Sequence, residues 1–126
     1  MYVVYWRIAA NMTRIYDRFM KFDKRVRFAA LVDSNGRILE GGMREGIEPL
    51  EPLEKTPQLI ARLVSVQKHE DFATFFGKPE YSILIHEDII AVIFHSGRKY
   101  ALVTADRQFS LEKIERLHKL AAKNLR

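Results

Sequence analysis

Cysteine is absent from the 126 residues. That excludes a disulfide framework, thiolate catalysis and any Cys-ligated zinc or iron–sulfur site. No apolar run approaches the ~20 residues of a membrane span. The apolar opening Met1–Trp6 is broken at Arg7 and followed by no cleavage site. Internal repeats, low-complexity tracts and linkers are missing too, so residues 1–126 read as one domain with an N-terminal apolar arm over 1–7. A hydrophobic fraction of 48% and a charged fraction of 29% argue against disorder. At this length folding should bury roughly 65–70% of the unfolded surface. The expected setting is cytoplasmic, without a transmembrane segment.

Signatures of chemistry are also scarce. No GxxxxGK phosphate loop or GxGxxG turn occurs. Gly77-Lys78-Pro79 follows a helix rather than opening one, and Gly41–Gly46 lacks the spacing. The histidines, His69, His86, His95 and His118, are far apart in sequence. His86-Glu87-Asp88 is the densest polar cluster, and a solvated hairpin turn explains it better than a metal or acid–base site. Ser34, Ser96 and Ser110 are accounted for by turns and a cap, and Ser65 by a helix. The expectation is a non-enzymatic chain with no cofactor, no metal and no catalytic residue.

What is present is charge of one sign at the ends. The net charge is +5. Residues 1–28 carry seven bases against two acids, and the last twenty carry six against two. The stretch between, 29–106, is acidic, with eight bases and twelve acids. Such a field bears on partners rather than on fold.

Periodicity orders the elements. Ile8, Met12, Ile15, Phe19 and Phe22 mark a helix over Ile8–Phe22. Val26–Val32 alternates as a strand, Asp33-Ser34-Asn35-Gly36 signals a hairpin, and a short return strand over Arg37–Glu40 ends at Gly41-Gly42. Residues 43–55 read as a loop. Thr56, as N-cap before Pro57, opens a long helix over 57–76, ended by Gly77 and Pro79. Its apolar stripe holds Leu59, Ile60, Leu63, Val64, Phe72, Phe75 and Phe76. Strands follow at Tyr81–Ile85, Ile89–Phe94 and Tyr100–Ala105, the middle one apolar on both faces and so interior. Ser110 caps a last helix, Phe109 staples onto Ile114, and the stripe runs Leu111, Ile114, Leu117, Ala121 and Leu125. One mixed sheet with helices on both faces satisfies this pattern.

The hairpin Phe28-Ala29-Ala30-Leu31-Val32-Asp33-Ser34-Asn35-Gly36-Arg37-Ile38-Leu39 resembles the roadblock/dynein-light-chain family and its profilin-like relatives. Gly77-Lys78-Pro79-Glu80-Tyr81 and Tyr100-Ala101-Leu102-Val103-Thr104-Ala105 add to the likeness. The chain is similar to short stand-alone archaeal members over about residues 8–122, though Met1–Trp6 does not map onto the family. The resemblance implies an α+β fold in the order α-β-β-α-β-β-β-α, with a five-stranded antiparallel sheet of order 2-1-5-4-3. The middle helix would cover one face and the terminal helices the other. It further implies a homodimer and partnership with a small Ras-like GTPase or a larger multiprotein complex.

Two candidate surfaces follow. An uncovered edge strand invites pairing across a two-fold axis, so Phe72, Phe75, Phe76, Tyr81, Ile83 and Ile85 are candidate dimer-interface residues. Core burial is the simpler reading for the three phenylalanines. Under the implied layout the terminal helices lie side by side, making Arg14, Arg18, Lys21, Lys113, Arg116, Lys119 and Lys123 a candidate basic face. Such a face would suit an anionic surface: nucleic acid, membrane or acidic protein. Tyr16 is the one aromatic among these bases available for base stacking. A small-molecule sensor is a third reading, but no polar group within the apolar strands marks a pocket.

Overall fold

The structure, a computed structural model, describes residues 14–68, 70–96 and 98–124. Met1–Trp6 and the first six residues of the expected opening helix lie outside them. Helix α1 (Arg14–Phe22) turns Ile15, Tyr16, Phe19 and Met20 inward as one stripe, and all four are buried.

Strand β1 (Val26–Val32) has the expected bounds. The hairpin after it is held by the Asp33 carboxylate, which accepts the Asn35 and Arg37 amides, each at 2.9 Å. These bonds hold the Asp33 carboxyl below its ordinary value, the Arg37 amide contributing most. Gly36 takes φ +83°, and a Cβ there would lie 2.7 Å from the Ala61 backbone, so only glycine closes this turn.

Strand β2 (Ile38–Met43) does not stop at the glycine pair but runs through it. A Cβ on Gly41 would stand 2.2 Å from the Ala29 carbonyl oxygen. The glycines therefore permit a close β1–β2 approach instead of ending the strand.

Strands β3 (Tyr81–Ile85), β4 (Ile89–Ser96) and β5 (Lys99–Asp106) complete a sheet of order β2-β1-β5-β4-β3. Every neighbouring pair is antiparallel, so the sheet is not mixed. β4 is interior, with both of its faces lined by buried side chains.

Between β2 and β3 the expected single helix is two. A 3-10 turn (Leu53–Lys55) leads into α2 (Thr56–Gln67), and α3 (Glu70–Phe76) follows. Lys68 closes α2 with a tight bond from its amide to the Ser65 carbonyl, 3.1 Å. Thr56 is not the N-cap: it lies in the first turn, its hydroxyl donating to Glu51 at 2.7 Å. Pro57 still occupies a first-turn position, where its missing N–H costs nothing.

After β5, Ser110 accepts the Glu112 amide at 3.2 Å and caps a 3-10 turn (Leu111–Lys113) that enters α4 (Ile114–Asn124). Ile114, Leu117 and Ala121 are buried, while Leu111 is half exposed and leaves the expected stripe. Leu125 lies outside the described residues.

The sheet divides two cores. α1 and α4 share one face, where Phe19, Val92, Phe94, Val103 and Leu117 meet. α2 covers the other through Ile60 and Val64, against Phe28, Ala30, Val32, Ile93 and Leu102. The architecture is α+β, with helices on both faces as the resemblance implies.

Candidate interaction surface

Exposed apolar side chains are concentrated in one stretch of the chain. Of the ten large hydrophobic residues exposed among those described, nine fall between Leu50 and Ile85. They are Leu50 and Leu53 before α2, Leu59 and Val66 on it, Phe72, Phe75 and Phe76 on α3, and Ile83 and Ile85 on β3. The three phenylalanines are not core: Phe72 is 58% exposed, Phe75 83% and Phe76 80%. Phe72 and Phe76 stack, ring centroids 5.9 Å apart. Phase accounts for two of them: continuing the buried stripe of Ile60, Val64 and Gln67 leads to Asp71 and then Phe75, leaving Phe72 and Phe76 off it. Phe75 falls on that stripe and is exposed all the same, because the break at Lys68 separates α3 from the sheet-covering helix.

β3 is the outer strand. Tyr81, Ile83 and Ile85 sit opposite Phe94, Val92 and Ile90, whose side chains join the core beneath α1 and α4. Tyr81, also of the candidate set, is tied to the α1–α4 side of the molecule. It is half buried, packs against Phe94 and His118, and donates its hydroxyl to Glu115 at 2.7 Å. That bond, followed by burial, pushes the Tyr81 phenol up, and it lowers the Glu115 carboxyl. On the opposite side of β3, Ser82 donates to the side-chain oxygen of buried Gln67, fastening the strand to the end of α2.

Beside α2 runs an open groove of about 550 Å³ that sequence reasoning missed. Its floor is apolar, with Phe28, Met43, Ile60, Leu63, Leu84 and Leu102 among the lining. Its mouth brings Leu50 and Glu51 together with the His86–Asp88 turn. These residues lie on six separate segments, so no spacing in the sequence could have announced them. The turn itself is a hairpin turn, as expected, closed by the His86 amide on the Ile89 carbonyl at 2.9 Å.

The basic candidates divide. Arg18, Lys21, Arg116, Lys119 and Lys123 are exposed on α1 and α4. Arg116 lies over the Phe22 ring at 5.9 Å, bridging the two helices. The side chain of Arg14 is outside the described set. Lys113 is a tether rather than a free cation: its ammonium bonds the Asp23 carboxylate at 2.5 Å. Burial pushes Asp23 up, but the Lys113 bond, the Arg25 amide and the two cations outweigh it and hold the carboxyl below its ordinary value. Tyr16 is no stacking platform, since it is buried and its hydroxyl donates to the Met43 carbonyl at 2.8 Å.

Arg44 went unnoticed in what composition marks as a loop. Its guanidinium takes the carbonyls of Val26, Met20 and Asp23 at 2.7, 3.0 and 2.8 Å. It thereby satisfies carbonyls at the end of α1 and locks that helix to the β1–β2 hairpin. Among the described residues no group of three metal-ligating side chains comes together, and no helix is long and apolar enough to cross a membrane.

No protein-family model and no curated protein sequence matches the chain. Solved structures do match its fold. An MglB with tetrameric arrangement aligns with a TM-score of 0.71 and 15% identity, over 90% of this chain and 82% of that one. The gliding protein MglB from Thermus thermophilus aligns at 0.70 and 16%, over 89% and 82%. A Roadblock/LC7 domain from Streptomyces avermitilis aligns at 0.65 and 11%, over 90% and 97%. At these identities the fold is what is shared.

Proposed function

We propose that this chain, built on the fold shared by the Roadblock/LC7 and MglB structures, is a non-enzymatic protein–protein interaction module. It works as a homodimer joined along β3 and α2, and serves as a platform for a small Ras-like GTPase or a larger complex. The observation that carries the dimer is the run of exposed apolar side chains from Leu50 to Ile85 next to β3, which has no strand on its outer side among the described residues. An isolated chain leaves those side chains wet and that edge open to aggregation. A second copy across a two-fold axis covers both at once. The GTPase as partner rests on the fold likeness alone.

The dimer is tested by solution mass. The unaltered chain should sediment at twice its monomer mass, and folded Ile83→Lys and Ile85→Lys variants as monomers. Unchanged mass in both variants would sink the edge-strand interface. The platform is tested by recovering the tagged protein from native lysate with and without nuclease. A defined, nuclease-resistant GTPase supports it.

A second reading draws on the five exposed cations that α1 and α4 place on one face. It makes that face a binding surface for anionic nucleic acid, membrane or acidic protein. Affinity there should fall steeply with salt. A binding constant flat over a tenfold salt range excludes it.

A further inference from the structure

We infer that the phenyl cluster of α3 is a cross-subunit knob: Phe75 and Phe76 of each copy seat against Leu50 and Leu59, which line the groove of the other, and against Leu53 in the turn before its α2. The inference rests on the dimer reading and specifies its contacts.

The symmetry of edge pairing places these residues together. A two-fold axis that pairs β3 with a second β3 makes the strands antiparallel, so the start of one strand lies beside the end of the other. The end of β3 leads into the His86–Asp88 turn, which lines the groove mouth together with Leu50 and Glu51. The start of β3 follows α3 after only Gly77–Glu80. Each α3 is thereby carried to the groove mouth of the other copy. The same axis sets the two α2 helices antiparallel, which independently brings the end of one, where α3 follows, to the beginning of its mate. Leu50, Leu53 and Leu59 stand at that beginning, and all three are exposed.

Chemistry and area agree with this placement. Aromatic rings meet the apolar part of the groove, while Glu51, Glu87 and Asp88 at its mouth are left at the rim, where their charges stay in water. A fully buried aromatic removes roughly 150–250 Å² from solvent. At 83 and 80% exposure the two seated rings still have on the order of 300 Å² to bury. That is more than a third of the ~800 Å² each partner contributes to a standard interface. The exposed leucines, Val66, Ile83 and Ile85 can supply the remainder. A break in the helix at Lys68 also acquires a purpose, since it frees α3 to leave its own sheet for its neighbour's.

The absence of cysteine makes the test clean. Tagged Phe75→Cys protein is mixed with untagged Leu50→Cys protein and treated with a short bis-maleimide. A Leu111→Cys partner, exposed on another part of the surface, sets the background. The expected result is at least tenfold more covalent heterodimer from the 50–75 pair than from the 111–75 pair. A chain that sediments as a dimer but gives only background for the 50–75 pair overturns the knob and leaves the dimer standing. A chain that sediments as a monomer overturns both. Binding of the monomer to neutral lipid vesicles, lost in Phe75→Ser, would assign the rings to a lipid surface and equally overturn the inference.

Discussion

The α1–α4 side of the sheet and the α2–α3–β3 stretch both carry apolar side chains at regular spacing, but they are finished differently. On the first, ring and aliphatic groups are buried, and polar groups close the seams. Arg44 holds three carbonyls, Tyr16 reaches the Met43 carbonyl, and Lys113 meets Asp23. On the second, a short helix presents three phenyl rings to water, and the outer strand that follows it shows two isoleucines at the rim of the α1–α4 core. Both stretches would score as amphipathic. Whether a side chain is core or interface is decided by what the element behind it is tied to. α1 is fastened to β1 and β2 by several bonds, whereas α3 is released from the sheet by the turn at Lys68.

The contrast can be broken most forcefully on its finished side. Phe19 is fully buried and its ring sits 6.5 Å from that of Phe94. Phe19→Ala should cost about 4 kcal/mol, measured by denaturant unfolding. That is a large share of the stability of a domain this size. Removing one seam should cost less: Lys113→Met takes the nearer of two cations from the Asp23 carboxylate and leaves only Arg25, at 3.9 Å, at about 2 kcal/mol. Asp23 is held below its ordinary value, so the stabilisation it contributes is present above the unfolded carboxylate pKa. It is lost as pH falls through the lower folded value, and acid should therefore narrow the gap between Lys113→Met and its parent.

On the exposed stretch the sign of the effect differs. Phe75→Ser and Phe76→Ser should change the stability of the monomeric chain by no more than about 0.5 kcal/mol. The same variants should weaken self-association at least tenfold, about 1.4 kcal/mol, in a dilution series followed by sedimentation. A loss of monomer stability on the scale of Phe19→Ala would return the rings to the core.

The smallest effect sharpens the finished side. Glu40 is buried on β2, and burial pushes its carboxyl above the ordinary value, against the lesser pull of Lys99 and the Ile15 amide. The folded state holds the protonated form better. Stability therefore falls as pH rises from the ordinary carboxylate pKa to the raised folded one, and stays lower above it. Glu40→Gln should gain modestly on its parent at pH 7 and match it near pH ~3, where both forms are neutral.

The fold was legible in the sequence because its signals are local. Alternation in Val26–Val32, the Asp33–Gly36 turn and the apolar run of Ile89–Phe94 each announce themselves within a few residues. The family likeness supplied the strand order, which periodicity alone does not contain. Four features escaped. Gly41-Gly42 looks like a stop because glycine weakens strands, yet here it permits β1 to come close. The break at Lys68 carries no proline or glycine, so a period-based reading runs straight through it. The groove is assembled from separate segments, and Arg44 acts on carbonyls eighteen or more residues away, contacts that only the folded chain creates.

Amide hydrogen exchange of the unaltered chain, measured at two protein concentrations, tests most directly that the Leu50–Ile85 stretch is a self-association surface. Slower exchange in β3 and α3 at the higher concentration, with α1, β1 and α4 unchanged, is the predicted result. Equal exchange in β3 and α3 at both concentrations, in a chain that sediments as a monomer throughout, would contradict it.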